Sequence, residues 1–193
     1  MIPNILKETV RGIQPVAMDD EMLLSRNIFL IEPVTAQSSA DLIKQLMYLE
    51  NSQDNEPITL YINSPGGDVS SGLAVYDYIK TMNSPVNTVC IGMAASMGAI
   101  LFLSGQTRSM LENSQVMIHD PSFAKNILSG SKPLEIQKQL DKLIDVRKTL
   151  VDIIVENSNM NEEEVYNKTK EDTYLTASEA MKLGIATEII KRK

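Results

Sequence analysis

Two residues of this 193-residue chain could do chemistry together, Ser96 and His119. Ser96 lies in Gly92-Met93-Ala94-Ala95-Ser96-Met97-Gly98, among small neighbours that leave room for a substrate backbone. His119 is the only imidazole and follows the apolar run Val116-Met117-Ile118. A serine hydroxyl becomes a nucleophile when a base takes its proton, and imidazole titrates in the right range to do so. The run before Ser96 reads as a buried strand and the run after it as a helix. That order predicts a strained nucleophile turn at a helix N-terminus, where negative charge is stabilised. The sequence is not G-x-S-x-G, so that motif does not apply. Taken singly, Ser96 also reads as a helix cap, and His119 as a satisfied surface or core residue. Their coincidence favours chemistry, because a strand end is where sites gather in parallel α/β folds.

An imidazole base needs a third group to orient it. Asp120 is adjacent but points away from the ring in an extended chain. Asp172 precedes Thr173-Tyr174-Leu175-Thr176, between two expected helices, and has room to fold back. Spacing does not choose among the aspartates. A second turn, Asn63-Ser64-Pro65-Gly66-Gly67-Asp68, joins a strand to a helix. Paired glycines permit positive φ and leave backbone N–H groups uncovered. Such groups suit an oxyanion, although a plain turn has the same sequence.

The elements that must hold these residues follow from hydrophobic period. Asn27 to Glu32, Pro57 to Asn63, Val86 to Gly92 and Gln115 to His119 read as strands. Ser38 to Leu49 and Val69 to Met82 read as helices, and another opens near Ser96. Strand–helix alternation predicts βαβ units and a mainly parallel sheet in one domain. Leu134 to Asn157 forms a long helical pattern with Ile136, Leu140, Leu143, Ile144, Leu150, Val151 and Ile154 on one side. A helix of that length outruns the sheet, so its stripe needs a further partner, most simply a second copy. Asn161 to Glu164 and Thr176 to Glu179 match capping boxes, and Gly184 suits a helix C-terminus.

Composition removes several classes. The net charge is -7, without the basic face of a nucleic-acid binder. One Cys and one His exclude a disulfide framework and a Cys/His zinc site within one chain. Cys90, in an expected buried strand, reads as an inert core residue. Val86 to Leu103 is the most apolar run, but Asn87, Thr88 and Ser96 break it, so it reads as core and not as a membrane span. No signal peptide is legible in Met1 to Arg11, and a cytoplasmic protein is expected.

At LYINSPGGDVSSGLAVYD, CIGMAASMGA, VMIHDP, LEIQKQLDKL and EDTYLTASEAMKLGIAT the chain resembles the ClpP family of proteolytic subunits. The resemblance runs over nearly the whole length, 1–193, as a single peptidase domain. It implies an α/β fold of the ClpP/crotonase type, with an axial N-terminal segment (1–20) and a handle region (122–157). It also implies a serine endopeptidase with Ser96 as nucleophile, His119 as base and Asp172 as the orienting acid. The backbone N–H groups of Gly67 and Met97 would form the oxyanion hole. The implied assembly is two stacked heptameric rings, a tetradecamer, fed with unfolded polypeptide by an ATP-driven AAA+ unfoldase. No Walker-type motif occurs here, so ATP belongs to that partner, and no cofactor is implied for this chain.

Several residues depart from the family pattern. His119-Asp120-Pro121-Ser122-Phe123 stands where the family has His-Gln-Pro followed by Gly-Gly. Asp120 is expected to raise the His119 pKa or to compete with Asp172 for the ring. Lys170-Glu171 reverses the family's charge order, which bears on ring contacts. The loop from Ser104 to Asn113 is short, and Thr59 and Thr81 replace aromatics of the unfoldase-docking groove, where Tyr61 is kept. These departures support an alternative, a weakly active structural or regulatory paralogue in a mixed ring. A crotonase-type acyl-CoA enzyme is a third reading, opposed by the acidic charge and the lack of a basic phosphate-binding cluster.

Overall fold

The computed structural model describes residues 4–10, 12–52, 55–123 and 130–191. Two antiparallel strands, β1 (Asn4–Thr9) and β2 (Gly12–Ala17), form a hairpin apart from the main sheet, and α1 (Met18–Leu24) follows. The chain then alternates β3 (Asn27–Leu30), α2 (Ala36–Glu50), β4 (Ile58–Ser64), α3 (Val69–Thr81), β5 (Val86–Ala95) and α4 (Met97–Leu103). Two short strands, β6 (Arg108–Leu111) and β7 (Gln115–Ile118), precede the long helix α5 (Pro133–Glu156). After it come α6 (Glu162–Thr169), β8 (Thr173–Thr176), α7 (Ala177–Lys182) and β9 (Glu188–Ile190).

The main sheet runs β3-β4-β5-β6-β9, with every pair in that path parallel. β7 adds parallel to β5, and β8 adds antiparallel to β7. Parallel strands joined through helices are buried on both faces. Accordingly Ile58, Leu60 and Ile62 are fully enclosed, and Leu42, Leu46 and Leu49 of α2 pack inward at the expected helical spacing. All seven residues of α4 are buried, so this helix is a core element, as its lack of charge requires. No helix among the described residues is long and apolar enough to cross a membrane. Cys90 has no exposed surface, and burial pushes its thiol pKa up.

The structure differs from the sequence reading at particular places. The strand expected at 86–92 continues to Ala95, because β5 leaves β6 and pairs with β7 over its last residues. β6 occupies the segment read as a loop, and β8 and β9 were too short for their period to show. The N-terminal hairpin also lacked a periodic signal, since its described side chains are mostly exposed. Arg11 and residues 124–129 of the expected handle lie outside the described residues.

Helix α5 divides in two. Leu150, Val151, Ile153 and Ile154 are buried against the core, whereas Leu134 is 67% and Ile144 55% exposed. The projecting part carries an apolar stripe that is exposed among the described residues. The capping boxes at Asn161/Glu164 and Thr176/Glu179 are formed, and Gly184 follows α7 with φ +72.

Asp68 caps α3, accepting from the Ser71 N–H at 2.7 Å. The Ser71 hydroxyl, and then that N–H, hold the Asp68 carboxyl below its ordinary range. A depressed folded pKa gives stability that is present above the unfolded value and lost as pH falls through the folded one. Asp68→Ala should therefore cost about 1 kcal/mol near neutral pH. Urea unfolding at descending pH should show the gap to wild type closing below the carboxylate range.

Candidate active site

Strand register brings three distant residues together. Ala95 of β5 pairs with Met117 of β7 in parallel, and the Ser96 N–H donates to the Met117 carbonyl at 2.8 Å. Ser96 thus emerges beside the end of β7, where His119 follows Ile118. On the other side of β7, Ile118 pairs with Thr173 of β8 in antiparallel. One step further along that register, Asp172 lies opposite His119. The Thr173 hydroxyl donates to the Lys168 carbonyl at 2.6 Å, which ties the chain entering β8 to the end of α6.

The side chains complete the arrangement. His119 Nε2 lies 2.9 Å from Ser96 Oγ, and His119 Nδ1 lies 3.1 Å from Asp172 Oδ1. With Asp172 accepting from Nδ1–H, Nε2 is left as the acceptor for the serine hydroxyl. The His119 side chain is 29% exposed and that of Asp172 59%. Ser96 has φ 53 and ψ -121, a conformation costing on the order of 1–3 kcal/mol for a residue with a side chain. Ser96 is the N-cap residue of α4, but its hydroxyl makes no cap hydrogen bond. The hydroxyl is turned to the imidazole instead, so the two readings of Ser96 describe one residue in which the backbone caps and the side chain does not.

The glycine turn closes the other side. Gly66 has φ +86, and a Cβ there would lie 2.7 Å from Ser96 Cβ and 2.8 Å from Met97 N. Gly67 has φ +151, and a Cβ there would lie 2.2 Å from the Val34 carbonyl oxygen. The turn is held on three sides. Val34 N–H donates to Gly66 O at 2.8 Å, Asp68 N–H donates to Val34 O at 2.8 Å, and the Ser64 hydroxyl accepts from Gly66 N–H at 3.2 Å. Met97 opens α4, so its N–H has no acceptor within the helix. Gly67 and Met97 therefore flank the serine turn on two different elements.

Asp120 does not compete with Asp172 for the His119 ring. Its carboxylate pairs with Arg147 of α5 at 2.8 Å, not with the His119 ring. The guanidinium is a permanent cation and holds the carboxylate on the α5 side. Arg147 and Thr169 were not singled out in the sequence, since neither carries a spacing signal. A small pocket of ≈ 30 Å³ adjoins Ser96, its lining including Val69, Met97, Ile100, Leu150, Val151 and Ile154 together with Asp120, Arg147 and Thr169. Among the described residues no cluster of His, Cys, Asp or Glu is arranged to hold a metal ion.

Gly67→Ala should lower stability by about 2–4 kcal/mol, because the added methyl meets backbone and not a movable side chain. Urea unfolding measures the loss, and peptide hydrolysis should fall with it.

The sequence profile of the Clp protease family matches residues 12–193. The chain is also 33% identical over 192 residues to the ATP-dependent Clp protease proteolytic subunit of Deinococcus radiodurans, spanning 98% of this chain and 92% of that one. Similarity of that extent, across the strands that carry Ser96, His119 and Asp172, makes this chain a member of the Clp protease family.

Proposed function

We propose that this chain is the proteolytic subunit of an ATP-dependent Clp protease, hydrolysing peptide bonds through Ser96, His119 and Asp172. The observation that carries this reading is the single imidazole within 2.9 Å of a hydroxyl and 3.1 Å of a carboxylate. His119 takes the Ser96 proton as Oγ attacks the peptide carbonyl. Asp172 stabilises the imidazolium without becoming protonated. The N–H groups of Gly67 and Met97 receive the oxyanion of the tetrahedral intermediate. His119 then returns the proton to the leaving amine, and a water hydrolyses the acyl-enzyme by the same route. Every step of this reading is carried by these side chains and backbone N–H groups.

The pocket beside Ser96 supports a preference for an apolar side chain on the residue that donates the carbonyl. Apolar surface covered there contributes on the order of 25 cal/mol per Å². The uncovered stripe of α5 supports self-assembly into stacked heptameric rings, since Leu140 and Ile144 need a partner surface. Unfolded polypeptides are the substrates, admitted by an AAA+ unfoldase that supplies the ATP. The Phe29–Tyr61 stack, with ring centroids 5.1 Å apart, Phe29 exposed and Tyr61 half-buried, supports an aromatic docking surface for it despite Thr59 and Thr81. The setting is the cytoplasm.

Ser96→Ala should reduce turnover of a fluorogenic peptide on the order of 10⁴-fold or more. A fluorophosphonate should label wild type at Ser96 and leave the variant unlabelled. Persistent silence of wild type without a sister subunit would support the structural paralogue in a mixed ring instead. Leu140→Glu with Ile144→Glu should release smaller particles, read as particle mass in solution.

A further inference from the structure

We propose that the Asp120–Arg147 ion pair is a positioning clamp for His119, an inference that rests on His119 being the base. Asp120 is bonded directly to His119 in the chain. Its backbone N–H donates to the Thr169 carbonyl at 2.7 Å, and its carboxylate meets Arg147 at 2.8 Å. Thr169 ends α6, three residues before Asp172. Arg147 in turn lies over the Tyr166 ring of α6, with Cζ 4.5 Å from the ring centroid. One guanidinium on α5 therefore holds the residue next to the base and the helix that leads to the acid. Moving Arg147 would move both ends of the His119–Asp172 contact.

The cluster is poorly arranged for stability alone. Asp120 Oδ1, Arg147 Nε and Thr169 Oγ1 are buried with no hydrogen-bond partner among the described residues. The ion pair is only half-buried, with the Arg147 side chain 33% and the Asp120 side chain 28% exposed, and such pairs contribute little stability. What a pair adds is direction. A planar guanidinium sets the angle as well as the distance of the carboxylate it holds. That direction passes through one peptide unit to the imidazole, where a displacement of about 1 Å costs on the order of 100-fold in rate.

The test compares Asp120→Asn, Arg147→Gln, Arg147→Lys and the Asp120→Asn/Arg147→Gln double variant in the assembled particle. Turnover of a fluorogenic peptide with an apolar cleavage-site residue is read alongside alkylation of His119 by a peptide chloromethyl ketone. The two charge-removing single variants should lower kcat about 10–100-fold with KM within about twofold. Alkylation should slow in parallel, Arg147→Lys, which keeps the charge but not the planar fork, should recover only part of the rate, and the double variant should be no slower than the slower single. Unchanged kcat would overturn the clamp. So would a rise in KM alone, which would make these side chains substrate contacts. Losses that multiply in the double variant, or a lowered Tm with unchanged alkylation, would also overturn it. Ser96→Ala serves as the control. If it keeps full turnover, the serine mechanism itself fails and the clamp with it. If it is inactive while Asp120→Asn is normal, only the clamp fails.

Discussion

β7 is four residues long, and the relation among Ser96, His119 and Asp172 depends on its hydrogen-bond register. It is parallel to β5 on one side and antiparallel to β8 on the other. The first pairing carries Ser96 to the end of the strand, and the second carries Asp172 there from the opposite chain direction. Register in a sheet is quantised, because a slip of one residue turns every side chain to the other face. A slip on either side of β7 would therefore separate the imidazole from one of its partners completely. Val116, Met117 and Ile118 are all buried, and the burial is what holds the register.

β5 makes this possible by changing partners along its length. Thr88 to Cys90 pair with β6, and Met93 to Ala95 pair with β7. Between them the pairing with β4 is irregular, with Ile62 opposite Cys90 but Ser64 opposite Ala94. Asn63 fills the gap, its Oδ1 accepting from the Met93 N–H at 3.0 Å. The irregularity turns the end of β5 away from the sheet path and delivers Ser96 to a turn of its own. The positive φ of Ser96 persists because both flanks are pinned. Ala94 and Ala95 are buried in the sheet, and α4 is sealed in the core behind it. Local strain is tolerated where packing over-determines the conformation.

The glycine turn and the α5 cluster add the remaining walls. Gly66 is pressed so closely against Ser96 and Met97 that only a residue without Cβ fits. The buried end of α5 lines the pocket beside Ser96, while its other end projects with an uncovered stripe. One helix thus belongs both to the site and to the surface that assembly would cover.

Much of this was legible in the residues. Apolar period marked α2, β4, α3 and α5, since long amphipathic elements repeat their pattern often enough to be recognised. The uniqueness of His119 and the small residues around Ser96 marked two of the three site residues. Asp172 was selected by resemblance to a family, because β8 is too short to announce itself and an aspartate between helices has no period. Asp120 and Arg147 were out of reach, being a contact between segments that no spacing connects. Composition and periodicity are local properties, and they settle which segments form elements and which faces are apolar. Register, the irregular pairing within β5 and the partner of each charge are decided only when distant segments meet, because they depend on packing that no single segment contains.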